Sequence, residues 1–192
     1  MNTPRMVTLV VMLALAGVGA IVLAIVALPP AAEVSVESAP ARAVWAETRW
    51  PFPIDQWGTG RAYTCKAAAC GSEVTLYLRA KLGFCNCTTG VADDEELERV
   101  SDLEFAGIQH ATLGDGRPIT VHWMKGRSRS YAVRDRAVAA KSALAIAFND
   151  RCDAIVTTAL IAGDRPEAQG RAVLGFLNGD HVRKWADRVL GI

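Results

Sequence analysis

The sequence predicts an α+β fold in which an N-terminal transmembrane helix precedes an antiparallel sheet with helices packed on one side. Three observations support this prediction. Residues 6–28 contain no charged side chain. In the middle of the chain, apolar and polar residues alternate as they do in half-buried strands. After residue 163 the apolar residues recur instead at the spacing of amphipathic helices.

The apolar segment of residues 6–28 is long enough to cross a membrane. At about 1.5 Å per residue it spans roughly 34 Å, and a bilayer core is about 30 Å thick. A cleaved signal peptide has a shorter apolar run of about 7–15 residues, with a small-residue cleavage site directly after it. The nearest such triplet here is residues 41–43, so we expect an uncleaved signal-anchor rather than a cleaved signal or a soluble core helix.

The charges on either side of this segment predict its orientation. The α-amine and Arg5 lie in the short tail of residues 1–5, whereas Glu33 and Glu37 are the first charged residues after the segment. Positive charge favours the cytoplasmic side. We therefore expect a cytoplasmic tail, a single pass through a bacterial inner membrane, and a C-terminal domain in the periplasm.

Residues 29–57 are predicted to form a tether followed by an arm. Pro29 and Pro30 end the helix, and Pro51 and Pro53 prevent regular structure in the arm. The arm carries three tryptophans, Trp45, Trp50 and Trp57. The simplest interpretation is that they pack over the domain's own core. The alternatives are contact with the membrane interface or with a partner protein.

The folded domain is predicted to occupy residues 58–192. A helix is expected from about residue 92, because the acidic run 93–96 suits the positive end of a helix dipole. Asp180 is the expected N-cap of the last helix. The other expected elements are strands at 60–65, 73–79, 107–113, 119–125 and 128–133, a hairpin of strands 142–148 and 153–161, and helices at 164–177 and 181–190.

Two charge patterns have competing interpretations. The acidic run 93–96 marks either the start of a helix or a cation site. In the strand region, Ile119, Val121 and Trp123 are expected to point inward, with a break at Gly126. A basic strand face follows, formed by Lys125, Arg127 and Arg129. This face is either simply solvated or binds anionic lipid headgroups or an acidic partner.

Five cysteines follow the apolar segment, at positions 65, 70, 85, 87 and 152. Exported domains keep disulfides whereas cytosolic ones rarely do, so structural disulfides with one unpaired thiol are the favoured interpretation. Cys85 and Cys87 are expected to bond to other cysteines, with Cys65 and Cys70 as the nearest candidates. Cys152 is the candidate free thiol.

A metal site is the alternative interpretation of the cysteines. Cys65, Cys70, Cys85 and Cys87 are soft ligands of the kind that suits Cu(I) or Zn(II). Further donors are available from His122 and Met124. This interpretation predicts a thiol or copper-handling protein that uses the pair Cys85 and Cys87.

The missing motifs and the charge balance exclude several function classes. The sequence lacks GxGxxG, P-loop, HExxH, GxSxG and CxxC motifs. A net charge of +1 gives no global attraction to nucleic acid. We therefore expect a non-enzymatic, membrane-anchored accessory protein of the envelope that binds a partner protein and needs no cofactor. A third hypothesis is a hydrolase in which Cys152 or a serine meets a histidine in space.

Two segments carry a resemblance. Residues 83–90 (GFCNCTTG) and 149–153 (NDRCD) resemble uncharacterised single-pass bacterial membrane proteins. The order of strands and helices is also similar to small α/β sandwiches of the PsbP/Mog1 type. The first resemblance implies a membrane-anchored envelope protein, and the second implies a fold without an activity.

Overall fold

The computed structural model describes residues 43–105, 109–134 and 139–192. The predicted tail of residues 1–5, the predicted transmembrane helix of residues 6–28 and the first part of the tether lie outside these ranges. Within them, no helix combines the length and apolar character that crossing a membrane requires.

The described residues form eight strands and four helices. In chain order they are β1 (Trp45–Thr48), β2 (Arg61–Cys65), α1 (Ala67–Cys70), β3 (Val74–Lys81), α2 (Asp94–Val100), β4 (His110–Thr112), β5 (Arg117–Val121), β6 (Met124–Val133), β7 (Ser142–Asp150), β8 (Asp153–Ile161), α3 (Pro166–Leu177) and α4 (Asp180–Leu190). The strands form one sheet with the order β1-β2-β3-β8-β7-β6-β4, and β5 also pairs with β6. Every strand pair in the described sheet is antiparallel. The predicted α+β class with an antiparallel sheet is therefore confirmed.

The sheet separates two cores, because successive side chains of a strand point to opposite faces. On the face covered by α3 and α4, β7 places Leu144, Ile146 and Phe148. On the other face it places alanines, which pack with Leu97 and Val100 of α2. We call these the α3–α4 face and the α2 face. The predicted packing of helices on one side is confirmed for α3 and α4, and the short α2 lies on the other side.

The predicted hairpin of residues 142–161 and the predicted start of α2 are confirmed. Strands β7 and β8 pair along their whole length, from Ser142 with Ile161 to Asp150 with Asp153. The carboxylate of Asp93 caps α2 by accepting a hydrogen bond of 2.8 Å from the backbone N–H of Glu96. At α4, in contrast, the N-cap residue is Gly179, and Asp180 is the first helical residue.

The predicted strand 119–125 is wrong at its C-terminal end. The chain reverses after Val121, which pairs with Met124 across a turn in which His122 has φ 55°. Trp123, expected to point inward, is therefore 50% exposed, and Met124 is buried instead. Gly126, expected to break the strand, lies inside β6, where a Cβ atom would collide with the backbone of β7.

Part of the predicted arm belongs to the sheet. Strand β1 pairs with β2, with Trp45 opposite Cys65 and Glu47 opposite Tyr63. In the described sheet β1 is an edge strand, since its other side has no strand beside it. This edge lies next to the cavity described below.

Candidate functional site

An open cavity of about 830 Å³ lies at the β1 edge, on the α3–α4 face of the sheet. Its walls come from three separate parts of the chain: β1, β2 and the junction of α3 with α4. We call it the edge groove. The lining side chains that define its chemistry are Trp45, Glu47, Tyr63, Phe176, Asp180 and His181.

Strand pairing and a tight helix junction place these side chains together. Cross-strand partners share a face of the sheet, so Glu47 lies on the same face as Tyr63. At the helix junction, a Cβ atom on Gly179 would lie 2.9 Å from the carbonyl oxygen of Phe176 and 3.0 Å from the ring of His181. Glycine therefore allows the start of α4 to turn back over the end of α3, and the first turn of α4 contributes a wall of the groove.

Aromatic rings form the floor of the edge groove. The ring centroid of Phe176 lies 4.7 Å from that of Trp45, 4.7 Å from that of Tyr63 and 4.6 Å from that of His181. These separations are typical of aromatic pairs in contact. Phe176 and Tyr63 are buried, Trp45 is half-buried and His181 is exposed. The exposure of the rings therefore increases from the buried base of the groove to its accessible rim.

The rim of the edge groove is acidic. The side chains of Glu47 and Asp180 are 57% and 84% exposed. Within the described part of the chain each carboxylate has one loose ion pair: Glu47 Oε1 lies 3.3 Å from Arg61 Nη1, and Asp180 Oδ1 lies 3.7 Å from Arg183 Nε. Among the described residues that line the groove there is no lysine or arginine. The groove therefore combines an aromatic floor with negative charge.

A buried charge cluster lies on the α2 face. Arg79, which is 2% exposed, donates hydrogen bonds of 2.6 Å to each carboxylate oxygen of Asp102 and one of 2.7 Å to Asp55. Lys81 lies 2.8 Å from Asp102 and donates a hydrogen bond of 2.8 Å to the carbonyl oxygen of Val100. Burial lowers the pKa of Lys81, whereas hydrogen bonds to the two carboxylates outweigh burial and raise the pKa of Arg79. Through Asp55 the cluster holds the arm against β3, and through Asp102 it holds the segment after α2 against β3.

The acidic run and the basic strand face pair with each other. Arg127 forms an ion pair with Asp94, and its hydrogen bond lowers the pKa of that carboxyl group. Arg129 Nη1 lies 2.6 Å from Glu98 Oε1. Lys125 remains exposed. The acidic run therefore forms the start of α2. Because α2 lies over β6, Arg127 and Arg129 of β6 form ion pairs with acidic side chains of α2.

The cysteines form two disulfides, Cys65–Cys70 and Cys87–Cys152, so the predicted structural disulfides are confirmed. The expected bonding of Cys85 and Cys87 to Cys65 and Cys70 is wrong, because Cys65 and Cys70 bond to each other. The predicted free thiol is wrong as well: Cys152 is bonded to Cys87, and Cys85 is the free cysteine. The reason is tertiary, because the turn between β7 and β8 approaches the loop before α2. There the backbone N–H of Cys85 donates to the carbonyl oxygen of Cys152 at 3.1 Å.

The structure separates the cysteines proposed as metal ligands. The thiols of Cys65, Cys70 and Cys87 are each consumed in a disulfide. Burial raises the pKa of Cys85 to about 11, which disfavours the thiolate that binds metals. Within the described ranges, no three His, Cys, Asp or Glu side chains are grouped to hold a metal ion. In the disulfide, Cys152 also has no thiol to act as a nucleophile.

The three tryptophans of the arm each pack against an aromatic ring of the domain. Trp45 lies against Phe176. Trp50 lies 6.0 Å from Tyr77 between ring centroids, and Trp57 lies 4.8 Å from Phe84. Of the three, Trp45 lines the edge groove. A role for Trp50 and Trp57 in partner binding remains a prediction.

Comparison of the chain with protein-family models, with curated proteins and with solved structures gives no match. The class is therefore defined by the fold and the site: a disulfide-bonded α+β domain with an open sheet edge beside an aromatic, acidic groove. Sequence reasoning found Trp45 and missed the other groove residues. No local signal marks them, because they meet only when the sheet edge and the helix junction come together.

Proposed function

We propose that the chain is a membrane-anchored accessory protein of the bacterial envelope that binds an extended segment of a partner protein at β1. The observation that carries this proposal is the position of the edge groove beside an edge strand of the described sheet. Peptide recognition by strand addition uses this combination: backbone groups of the edge provide affinity, and an adjacent pocket provides specificity.

The geometry of a strand explains how one segment would use both features. A segment that adds to β1 would hydrogen-bond the N–H and C=O groups of its outer edge. Alternate side chains of that segment would point to the α3–α4 face and enter the edge groove. The volume of about 830 Å³ lies within the range of about 300–1,000 Å³ for ligand sites.

The envelope location rests on the sequence and on the disulfides. The two disulfides are typical of an exported domain, and the apolar segment of residues 6–28 has the length of a membrane anchor. As a random coil, the tether of residues 29–44 would span about 20–24 Å. The partner segment would therefore be bound close to the inner membrane.

The test is an NMR titration of the full-length chain in detergent with ten-residue peptides of alternating Val and Thr. The panel differs at one central position, which is lysine, arginine, norleucine or glutamate. We expect at least one peptide to shift the backbone amide signals of Ala46 and Glu47. If no peptide moves these signals, the proposed function is wrong.

Two proline variants test whether the outer edge of β1 binds the peptide. The N–H groups of Ala46 and Glu47 point to opposite edges of β1, so Ala46→Pro and Glu47→Pro remove donors from opposite edges. The variant whose proline faces outward keeps the thermal stability of the domain and is expected to lose peptide binding. Unchanged binding by that variant would count against strand addition.

A further inference from the structure

We propose that the edge groove selects a segment that carries a lysine or arginine and holds the cationic group against its aromatic floor, between Glu47 and Asp180. This inference rests on the proposed function, since it names the side chain that the bound segment places in the groove. It follows from three properties of the described groove: its charge, its rings and the contacts of Arg61.

The charge of the groove favours a cation. Glu47 and Asp180 are exposed at the rim without a basic side chain in the described lining. The neighbouring cavity between α3 and β6 differs, because its acids are accompanied by basic side chains such as Arg117, Arg129 and Arg171. Charge complementarity therefore distinguishes the edge groove, where an incoming cation meets two carboxylates and competes with Arg61 and Arg183, which pair loosely with them from outside the described lining.

The rings of the floor provide a second attraction for a cation. A guanidinium or ammonium group near the face of an aromatic ring is attracted to its negative π surface. The domain already uses this contact internally, since the guanidinium carbon of Arg79 lies 4.2 Å from the ring centroid of Phe105 and that of Arg99 lies 4.8 Å from Phe84. Lysine and arginine also have long apolar stems that can pack against the buried rings of Tyr63 and Phe176.

Arg61, which lies outside the groove lining, shows that Glu47 and Tyr63 together can hold a guanidinium group. Its Nη1 atom lies 3.3 Å from Glu47 Oε1 and donates to the hydroxyl oxygen of Tyr63 at 3.3 Å. The side chains of Arg61 and Glu47 are 37% and 57% exposed. Because an exposed pair of this kind is weak, Glu47 can accept a second cation or exchange Arg61 for it.

The experiment compares the lysine, arginine, norleucine and glutamate peptides of the titration above on the full-length chain at low salt. We expect the lysine and arginine peptides to bind about ten-fold more tightly than the norleucine peptide. The glutamate peptide should bind most weakly. The double variant with Glu47→Gln and Asp180→Asn should reduce the preference for the lysine peptide over the norleucine peptide to about two- to five-fold, the part that the rings alone provide.

The matched control is Glu73→Gln, which removes an exposed carboxylate that pairs with Lys66 at 3.3 Å, outside the groove lining. It should keep the ten-fold preference. Equal affinity for lysine and norleucine, with the β1 signals still shifting, would overturn the cation inference and leave strand addition intact. Retention of the full ten-fold preference in the double variant would overturn it as well. Unmoved β1 signals with every peptide would instead overturn the proposed function.

Discussion

The two faces of the sheet are stabilised in different ways. On the α3–α4 face, aliphatic and aromatic side chains such as Leu76, Ile146 and Phe148 form a continuous apolar core. On the α2 face, small alanines and a few apolar side chains of α2 form a smaller apolar core, and Arg79, Lys81 and Asp102 are buried on the same face. Apolar burial is non-directional, whereas buried charges need particular partners at particular positions.

The edge groove lies on the apolar α3–α4 face, at the β1 edge. On the α2 face each charged group defines the position of a segment, since Asp55 holds the arm and Asp102 holds the chain after α2. We therefore expect the α2 face to be sensitive to single polar substitutions and the α3–α4 face to provide the binding surface.

The strongest test of this comparison is Asp102→Ala. The substitution leaves Arg79 and Lys81 buried without their shared carboxylate. Removing one partner of a buried ion pair costs about 3–5 kcal/mol, and we expect the free energy of unfolding in urea to fall by that amount. The control Glu73→Ala breaks an exposed pair and should cost about 0–1 kcal/mol. A small, equal loss in both variants would show that the charges on the α2 face have no such role.

The two disulfides allow a second test, because they close loops of very different length. Cys87 and Cys152 are 65 positions apart, whereas Cys65 and Cys70 are five positions apart. In the chain-entropy model, replacing Cys87 and Cys152 by alanine lowers the free energy of unfolding by about 4 kcal/mol, and replacing Cys65 and Cys70 lowers it by about 2 kcal/mol. Denaturation without reductant measures both values. The reverse order would mean that native packing, and not the unfolded chain, decides the effect.

Local patterns in the sequence were sufficient for much of the fold. Alternation predicted the hairpin of residues 142–161, and the acidic run predicted the start of α2. The turn at His122 was missed, because a histidine at positive φ has no sequence signal comparable to Asn-Gly. For the residues of β1 the sequence predicts an irregular arm, since a four-residue edge strand next to prolines has no alternating pattern long enough to identify it.

The candidate site was much less predictable. Trp45 was identified only as one of three tryptophans, and its contact with Phe176 joins residues 131 positions apart in the chain. The cysteine pairing failed for the same reason: Cys87 meets Cys152 because of how the β7–β8 turn lies against the loop before α2. Both results depend on tertiary contacts between segments that carry no information about each other's position.

The smallest effect that we expect concerns the pH dependence of stability through Cys85. Burial on the α2 face raises the pKa of this thiol from its ordinary value of 9.0 to about 11. The folded chain therefore keeps the proton while the unfolded chain releases it. The thiol's contribution is fully present below pH 9 and is lost as the pH rises from about 9 to 11.

Cys85→Ala isolates this contribution. Tyr131, whose pKa burial raises to about 12, titrates in wild type and variant alike, so the difference between their curves reports the thiol alone. We expect the free energy of unfolding of the wild type to fall more steeply between pH 9 and 11, in urea titrations on chains whose disulfides are intact. Parallel curves would mean that water reaches the thiol in the folded state. In that case solvent would reach the loop before α2. The charged groups of the α2 face would then be stabilised by their ion-pair partners and not by the exclusion of water.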